Sequence, residues 1–248
     1  MIIPSADLEG RGRALRRAVP SALGVLGTIL LAAALGGLIR VVPVVGALDE
    51  RLVAAAGTSL TTPGQMLALG LDAIFDPLFA ALLTVAVVLV VALARRSPRA
   101  GARTGILILV PWAATGALKV IVRRPRPEVE LLGDRLVPLP ETFSFPSGHT
   151  TVAAALCLAI LLALRAGWGR WIGGVLAVVV VAATAWSRVA LGLHHPTDVL
   201  TSALLAPVLV VLLARGIDAG VQRVEAGGRS PSRGWCPRSR RPGPCGTR

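Results

Sequence analysis

From Pro77 to Ala94 the chain reads PLFAALLTVAVVLVVALA, without a single charge. A helix through this stretch would come close to crossing the ~30 Å hydrocarbon core of a bilayer. The run is not alone. Comparable apolar cores are read at Ser21–Val42, Thr104–Val122, Thr150–Leu164, Trp171–Val189 and Thr197–Ala214. Six such runs point to helices that bury their faces in lipid rather than to one water-soluble core. The expected fold class is therefore all-α, a polytopic membrane protein built as a six-transmembrane-helix bundle. The run at 150–164 is the shortest, and its ends are the least sharply marked.

Charge supports this reading. Only 16% of the 248 residues are charged, against about 25% in a soluble domain, and mean hydropathy is +0.72. The net charge of +13 invites a nucleic-acid partner, but the placement of the arginines argues for orientation in a membrane instead. Arg11, Arg13, Arg16 and Arg17 precede the first run. Arg95, Arg96, Arg99 and Arg103 separate the second from the third. Arg165 and Arg170 separate the fourth from the fifth, and Arg215 with an Arg-rich tail follows the sixth. With six spans, every cluster falls on one side, which the positive-inside rule makes cytoplasmic. Both termini are then inside, and the links near 43–76, 123–149 and 190–196 are outside.

The chain divides into a cytoplasmic N-terminal arm (1–18), a six-helix membrane domain (19–215) and a basic tail (216–248). The Arg-, Pro-, Ser- and Gly-rich end of the tail lacks the apolar content for a core and is expected to be disordered. RGRALRR would suit a signal peptide, but the apolar run behind it exceeds the usual 7–15 residues, which favours a retained first helix. Cys157 lies within an apolar run while Cys236 and Cys245 lie in the tail, so no disulfide framework is implied. VGALDERLVAAAGTSL has an amphipathic pattern and is placed along the outer surface without a function. In FDPLF, Asp76 reads as a helix N-cap with Pro77 at the first helical position. HHPTD repeats the arrangement with Pro196.

Three outer stretches carry polar residues that lipid does not explain. In LKVIVRRPRP, Lys119 is the one lysine among 26 basic residues. A compact ammonium has a role there, or the side chain snorkels from a helix end; position alone leaves both open. In FSFPSGHTT, Ser147 is a plausible N-cap, and Gly148 lets a ligand approach the backbone. His149 follows on the same helix start. Free N–H groups and the helix dipole form an anion site there, although an ordinary capped turn has the same sequence. In SRVALGLHHPTD, Arg188 is followed by His194 and, in the first turn of the next helix, Asp198. A carboxylate that holds one ring nitrogen of His194 makes the other more basic. His195 reads as a neighbour of unknown role. Together these groups map to the outer ends of neighbouring helices, where charge near hydrocarbon costs free energy and marks function. Cations beside a helix N-terminus suit a phosphate, and an oriented histidine suits a nucleophile.

These residues also resemble a known family. Lys119-x6-Arg126-Pro127, Pro146-Ser147-Gly148-His149 and Ser187-Arg188-x5-His194-x3-Asp198 look like the three-part signature of the type-2 phosphatidic acid phosphatase superfamily, in order and in spacing. The resemblance extends from the first helix to about Arg215. It implies a phosphatase that needs no metal and no other cofactor and acts on lipid phosphates or pyrophosphates at the membrane surface. It implies His194 as nucleophile through a phosphohistidine, Asp198 as its orienting group and His149 as proton donor. Lys119, Arg126, Arg188, the Ser147 hydroxyl and the Gly148 N–H would hold the phosphate oxygens. Undecaprenyl pyrophosphate, phosphatidic acid and phosphatidylglycerol phosphate all fit a site at headgroup level, and family habit puts the polyprenyl pyrophosphate first. Vanadate-dependent haloperoxidases resemble the same signature, but six apolar runs argue against a soluble relative. A non-catalytic lipid-phosphate binder or transporter is disfavoured by the presence of both His149 and His194. Transfer of the phosphoryl group to an acceptor other than water is not separated from hydrolysis by sequence.

Overall fold

The structure is a computed structural model that describes residues 5–128 and 136–228, with side chains described from residue 21 to residue 222 within those ranges. The last twenty residues of the expected disordered tail, with Cys236 and Cys245, lie outside the described residues. Every described element is a helix: α1 (Ser5–Val41), α2 (Pro43–Thr58), α3 (Thr62–Ile74), α4 (Pro77–Ala94), α5 (Pro98–Val122), α6 (Gly148–Ala163), α7 (Trp168–Ala190) and α8 (Pro196–Gly228).

The expected apolar runs fall on α1 and α4 to α8. Their starts follow local chemistry. Asp76 accepts a hydrogen bond from the Leu78 N–H at 3.0 Å, with Pro77 opening α4. Ser97 caps α5 through the Ala100 N–H at 3.3 Å. The side chains supply acceptors for N–H groups that a helix start leaves without partners. Helix α1 starts at Ser5, inside the stretch read as an N-terminal arm, and α8 continues past Arg215 to the Gly227–Gly228 pair.

Five of these helices are long and apolar enough to cross a membrane: α1 over Ser21–Val41, α4, α5, α7, and α8 over Pro196–Gln222. Helix α6 has 16 residues, about 24 Å at 1.5 Å per residue, and falls short of a full span. Its position accounts for this. It packs against α4, α5, α7 and α8, and Thr150 to Leu156 and Ala159 are buried. A helix surrounded by protein needs small side chains for close packing rather than a long lipid-facing stripe. The outer helices show the opposite face: Leu26, Leu30, Leu78, Leu82 and Leu93 are exposed, as lipid contact requires.

Two glycines set close approaches. A Cβ on Gly101 would lie 2.8 Å from the Ala92 Cβ and 3.0 Å from the Val88 carbonyl oxygen, so glycine lets α5 lie against α4. A Cβ on Gly36 would meet the Phe145 ring at 2.4 Å. Phe145 is fully buried against α1 and the end of α5, with Ile39 and Val122. That contact anchors the segment leading into α6.

The link at 43–76, which contains the amphipathic segment at 45–60, is helical and packs on the bundle. It forms α2 and α3, which pack against α7, and it inserts Asp49 into the protein with 1% of its surface exposed. The polar groups of α2, α3, the end of α5, the start of α6, the end of α7 and the start of α8 meet at one end of the bundle.

Candidate active site

The segment between α7 and α8 is closed by its own backbone. The N–H groups of Leu193 and His194 both donate to the Arg188 carbonyl, at 3.0 and 3.2 Å. Gly192 takes the left-handed conformation (φ 65°) that the reversal needs. The five residues between Arg188 and His194 are thus one tight closure, and they bring the arginine and the histidine to the same end of the bundle.

Asp198 stands in the first turn of α8 and accepts the His195 N–H at 3.0 Å. This is half of a capping box, with the acid three residues into the turn bonding back to the N-cap backbone. The same oxygen accepts from the Ser144 hydroxyl and lies 3.3 Å from His195 Nδ1. The other oxygen accepts from Arg124 at 2.6 Å. His194 Nδ1 lies 3.7 Å from the carboxylate and is buried without a hydrogen bond among the described residues. The sequence placed Asp198 beside His194, which the structure does, but the closer partners of Asp198 are Arg124, Ser144 and His195. Burial, above all, holds the His194 imidazole well below the ordinary histidine pKa; the Asp198 carboxylate opposes this, and Lys119 and Arg126 add to it.

Arg124 was not singled out in the sequence. It donates to Asp49 at 2.6 Å and to Thr197 at 2.7 Å as well as to Asp198. Thr197 in turn donates from its hydroxyl and its N–H to Asp49, at 2.5 and 3.2 Å. Arg124, Asp49 and Asp198 are all buried, so charge and hydrogen bonds must balance within this network. His195 is held from both sides, by Asp198 and by Glu50 at 2.9 Å from Nε2.

Lys119 donates to the carbonyls of Phe143 and Ser144, at 2.5 and 3.4 Å. Arg126 donates to the Thr142 carbonyl (2.8 Å), the Thr142 hydroxyl (3.0 Å) and the Leu193 carbonyl (2.5 Å). The two cations therefore tie the approach to α6 to the segment that carries His194.

Ser147 is the N-cap of α6, and its hydroxyl accepts from the Thr150 N–H at 3.5 Å and the Thr150 hydroxyl at 3.1 Å. Gly148 opens the helix with nothing within 4 Å of where a Cβ would stand. His149 follows, its Nε2 buried and 3.5 Å from Asp72 of α3. Asp72 also accepts from Arg188 Nη1 at 2.6 Å. The His149 contact, with Arg188 acting in the same direction, holds the Asp72 carboxyl down to about pKa 2 against the effect of burial. Arg188 is 1% exposed, and its Nε and Nη2 are buried without a hydrogen-bond partner among the described residues.

The predicted site residues thus gather at one end in two linked groups. Asp72 joins His149 to Arg188, and Lys119, Arg126 and Asp198 surround His194. Sequence reasoning missed Asp49, Glu50, Asp72 and Arg124. One signal was available: Asp72 is the only charge in MLALGLDAIF, and a lone carboxylate in an apolar run marks function.

A family model described as the PAP2 superfamily matches residues 100–220, which hold all three polar stretches but neither α2 nor α3. An undecaprenyl-diphosphatase of Bacillus subtilis (strain 168) is 36% identical over 102 residues, 41% of this chain and 49% of that protein. A decaprenylphosphoryl-5-phosphoribose phosphatase of Mycobacterium tuberculosis is 34% identical over 114 residues, 46% of this chain and 59% of that protein. The chain spans about half the length of these curated relatives. In fold, it is similar to a crystal structure of a transmembrane PAP2-type phosphatidylglycerolphosphate phosphatase from Bacillus subtilis. The TM-score is 0.68 at 24% identity, covering 79% of this chain and 96% of that one.

Proposed function

We propose that the chain, whose residues 100–220 match the PAP2 superfamily model, is a member of that superfamily and hydrolyses a lipid phosphate or polyprenyl pyrophosphate at the outer membrane–water interface through a phosphohistidine. The observation that carries this reading is Arg188. A buried guanidinium whose Nε and Nη2 have no partner among the described residues, joined through Asp72 to His149 at the N-terminus of α6, suits a tetrahedral anion.

The chemistry follows from the neighbours. Burial keeps His194 neutral, so it has a lone pair for attack. Its Nδ1 faces Asp198, which leaves Nε2 to bond to phosphorus. As that bond forms, the bond from phosphorus to the leaving oxygen breaks, and His149 gives its proton to that oxygen. Asp198 faces the imidazolium side of the phosphohistidine. Water then attacks phosphorus, its proton passes to His149, and the P–N bond breaks to release phosphate and neutral His194. Arg188, Lys119, Arg126 and the first N–H groups of α6 stabilise charge on the non-bridging oxygens, which is most of what phosphoryl transfer asks of a protein. Fixed cations in this reading take the part of a metal.

A site at the end of a lipid-exposed bundle suits a substrate with its tail in the bilayer. Relatives named for undecaprenyl diphosphate and a decaprenyl-linked phosphate put polyprenyl substrates first. The arginine clusters favour both termini in the cytoplasm and this end outside; a tag between residues 136 and 142 is then labelled from outside intact cells.

The test is phosphate release by purified protein in detergent with EDTA. The panel holds undecaprenyl pyrophosphate, phosphatidic acid, phosphatidylglycerol phosphate and a soluble phosphate ester. Release from a lipid that is lost in His194→Ala supports the reading. Release that stops with EDTA and returns with Mg²⁺ contradicts the metal-free mechanism, and phosphate found on a second lipid instead of in solution makes the chain a phosphotransferase.

A further inference from the structure

Asp72 touches two of the groups that the phosphatase reading places in the chemistry, yet it belongs to none of the three motif stretches and lies outside the residues matched by the family model. It approaches from α3, more than a hundred residues before Arg188 in sequence, and binds the Arg188 fork at 2.6 Å and the His149 ring at 3.5 Å.

Two roles are conceivable for such a carboxylate. It could occupy the phosphate cradle and obstruct it, or it could set the cradle's geometry. The atoms engaged decide between them. A guanidinium binds an oxyanion most strongly along the edge formed by Nε and Nη2, as two parallel hydrogen bonds. Arg103 of this chain does so, holding Asp218 through Nε and Nη2, both at 2.9 Å. Asp72 does not use that edge on Arg188. It takes Nη1, and the atoms without a partner among the described residues are Nε and Nη2. The anchoring contact and the oxyanion edge therefore lie on different sides of one planar group. The second contact points the same way, since an acid that must carry a proton is served by an anion beside its ring. Burial pushes the His149 pKa below the ordinary histidine value and Arg188 from α7 adds to this, while Asp72 from α3 opposes both; of the two charged groups facing the ring, Asp72 is the one of opposite sign to an imidazolium.

We propose that Asp72 is a positioning residue of the reaction, fixing Arg188 with its bidentate edge toward the phosphate and orienting His149 while favouring its protonated form. This rests on the phosphatase reading. It makes the helical link α2–α3 part of the active site rather than a cover over it. It also separates the effects of Asp72 on the two steps of turnover, because only a poor leaving group needs the proton from His149.

The experiment compares wild type, Asp72→Asn and Asp72→Glu in detergent, each shown to be monodisperse. Phosphate release is followed from pH 5 to 9 on the best lipid of the panel and on p-nitrophenyl phosphate, whose leaving group departs without a proton. For Asp72→Asn the expected result is a kcat on lipid at least tenfold lower, with KM changed less than threefold. The alkaline limb of its kcat profile moves to lower pH, and the loss on p-nitrophenyl phosphate is smaller. Asp72→Glu recovers most of the kcat. Unchanged or higher kcat in Asp72→Asn, or a tighter KM with kcat intact, overturns the proposal and makes Asp72 an obstruction. Equal losses on both substrates with an unshifted pH profile also overturn it, leaving a merely structural contact. A wild-type chain that releases no phosphate from any substrate overturns the phosphatase reading itself and this assignment with it, whereas an active wild type with an indifferent Asp72 variant sinks only the latter.

Discussion

His194 Nδ1 stands 3.7 Å from the Asp198 carboxylate and has no hydrogen-bond partner among the described residues. The carboxylate is already committed to Arg124, Ser144 and the His195 backbone. It is thus a fixed negative charge beside the ring rather than a mobile partner. On the phosphohistidine reading proposed above, its value lies in stabilising the positive charge that the ring would acquire on phosphorylation. Asp198→Asn is expected to lower kcat by about 10²–10⁴-fold while KM changes little. Rapid-quench kinetics on the lipid substrate measure it, and loss confined to KM would place Asp198 in binding instead.

The pH profile follows from His194. Its folded-state pKa is depressed, first by burial and then by Lys119 and Arg126, against the pull of Asp198. The ring therefore stays neutral below the usual histidine value of 6.5, and the acid limb that it sets in kcat/KM lies below that pH. Stability moves in the same direction. The unfolded chain binds a proton at His194 more readily than the folded one, so stability from this group is present above pH 6.5 and is lost as pH falls toward the depressed value. Asp72, held near pKa 2, is anionic throughout the assay range and contributes no limb. Thermal unfolding and kcat/KM between pH 4.5 and 8 check both points.

Arg124 is expected to matter for folding before catalysis. Removing its charge leaves Asp49 and Asp198 buried without their cation, a change that costs about 3–5 kcal/mol in buried ion pairs. Arg124→Met should lower the thermal midpoint in detergent. Because the network also ties α2 to α8, the variant should expose the α2–α3 link to protease earlier than wild type. An unshifted midpoint would show that water reaches the network.

Gly36 offers a test of how the approach to α6 is held. A methyl group there overlaps the fully buried Phe145 ring, and a packed aromatic ring is not a flexible side-chain end. Gly36→Ala is expected to destabilise by about 1–3 kcal/mol and to reduce turnover by displacing Ser144, whose hydroxyl binds Asp198. Gly37→Ala on the same helix, with open space at its Cβ, is the control that should leave both properties intact.

Much of this was legible in sequence where one stretch of chain carries its own signal. Apolar runs located the long helices, Asp76–Pro77 marked a helix start, and Ser147 was read correctly as a cap. The motif residues were assigned to one end because each lies at the end of a run. What escaped was long-range. Asp49, Glu50, Asp72 and Arg124 acquire meaning only through partners across the fold, such as Arg124 with Asp49 or His195 with Glu50. The amphipathic pattern of the segment at 45–60 was visible, but an amphipathic helix packed on protein and one lying on a membrane share that pattern. The shortness of α6 was visible too. Its cause, enclosure by four other helices, was not.

The central claim is that phosphorus is carried by His194, with His195 held elsewhere by Glu50 and Asp198. Both histidines are buried at the same site, so the direct measurement is trapping. The protein is mixed with a ³²P-labelled lipid phosphate, quenched in alkali within milliseconds, digested and mapped by mass spectrometry. The expected result is an alkali-stable, acid-labile phosphate on His194 that is absent in His194→Ala and present in His195→Ala. A label on His195, or turnover with no protein-bound phosphate at any time, would contradict the account.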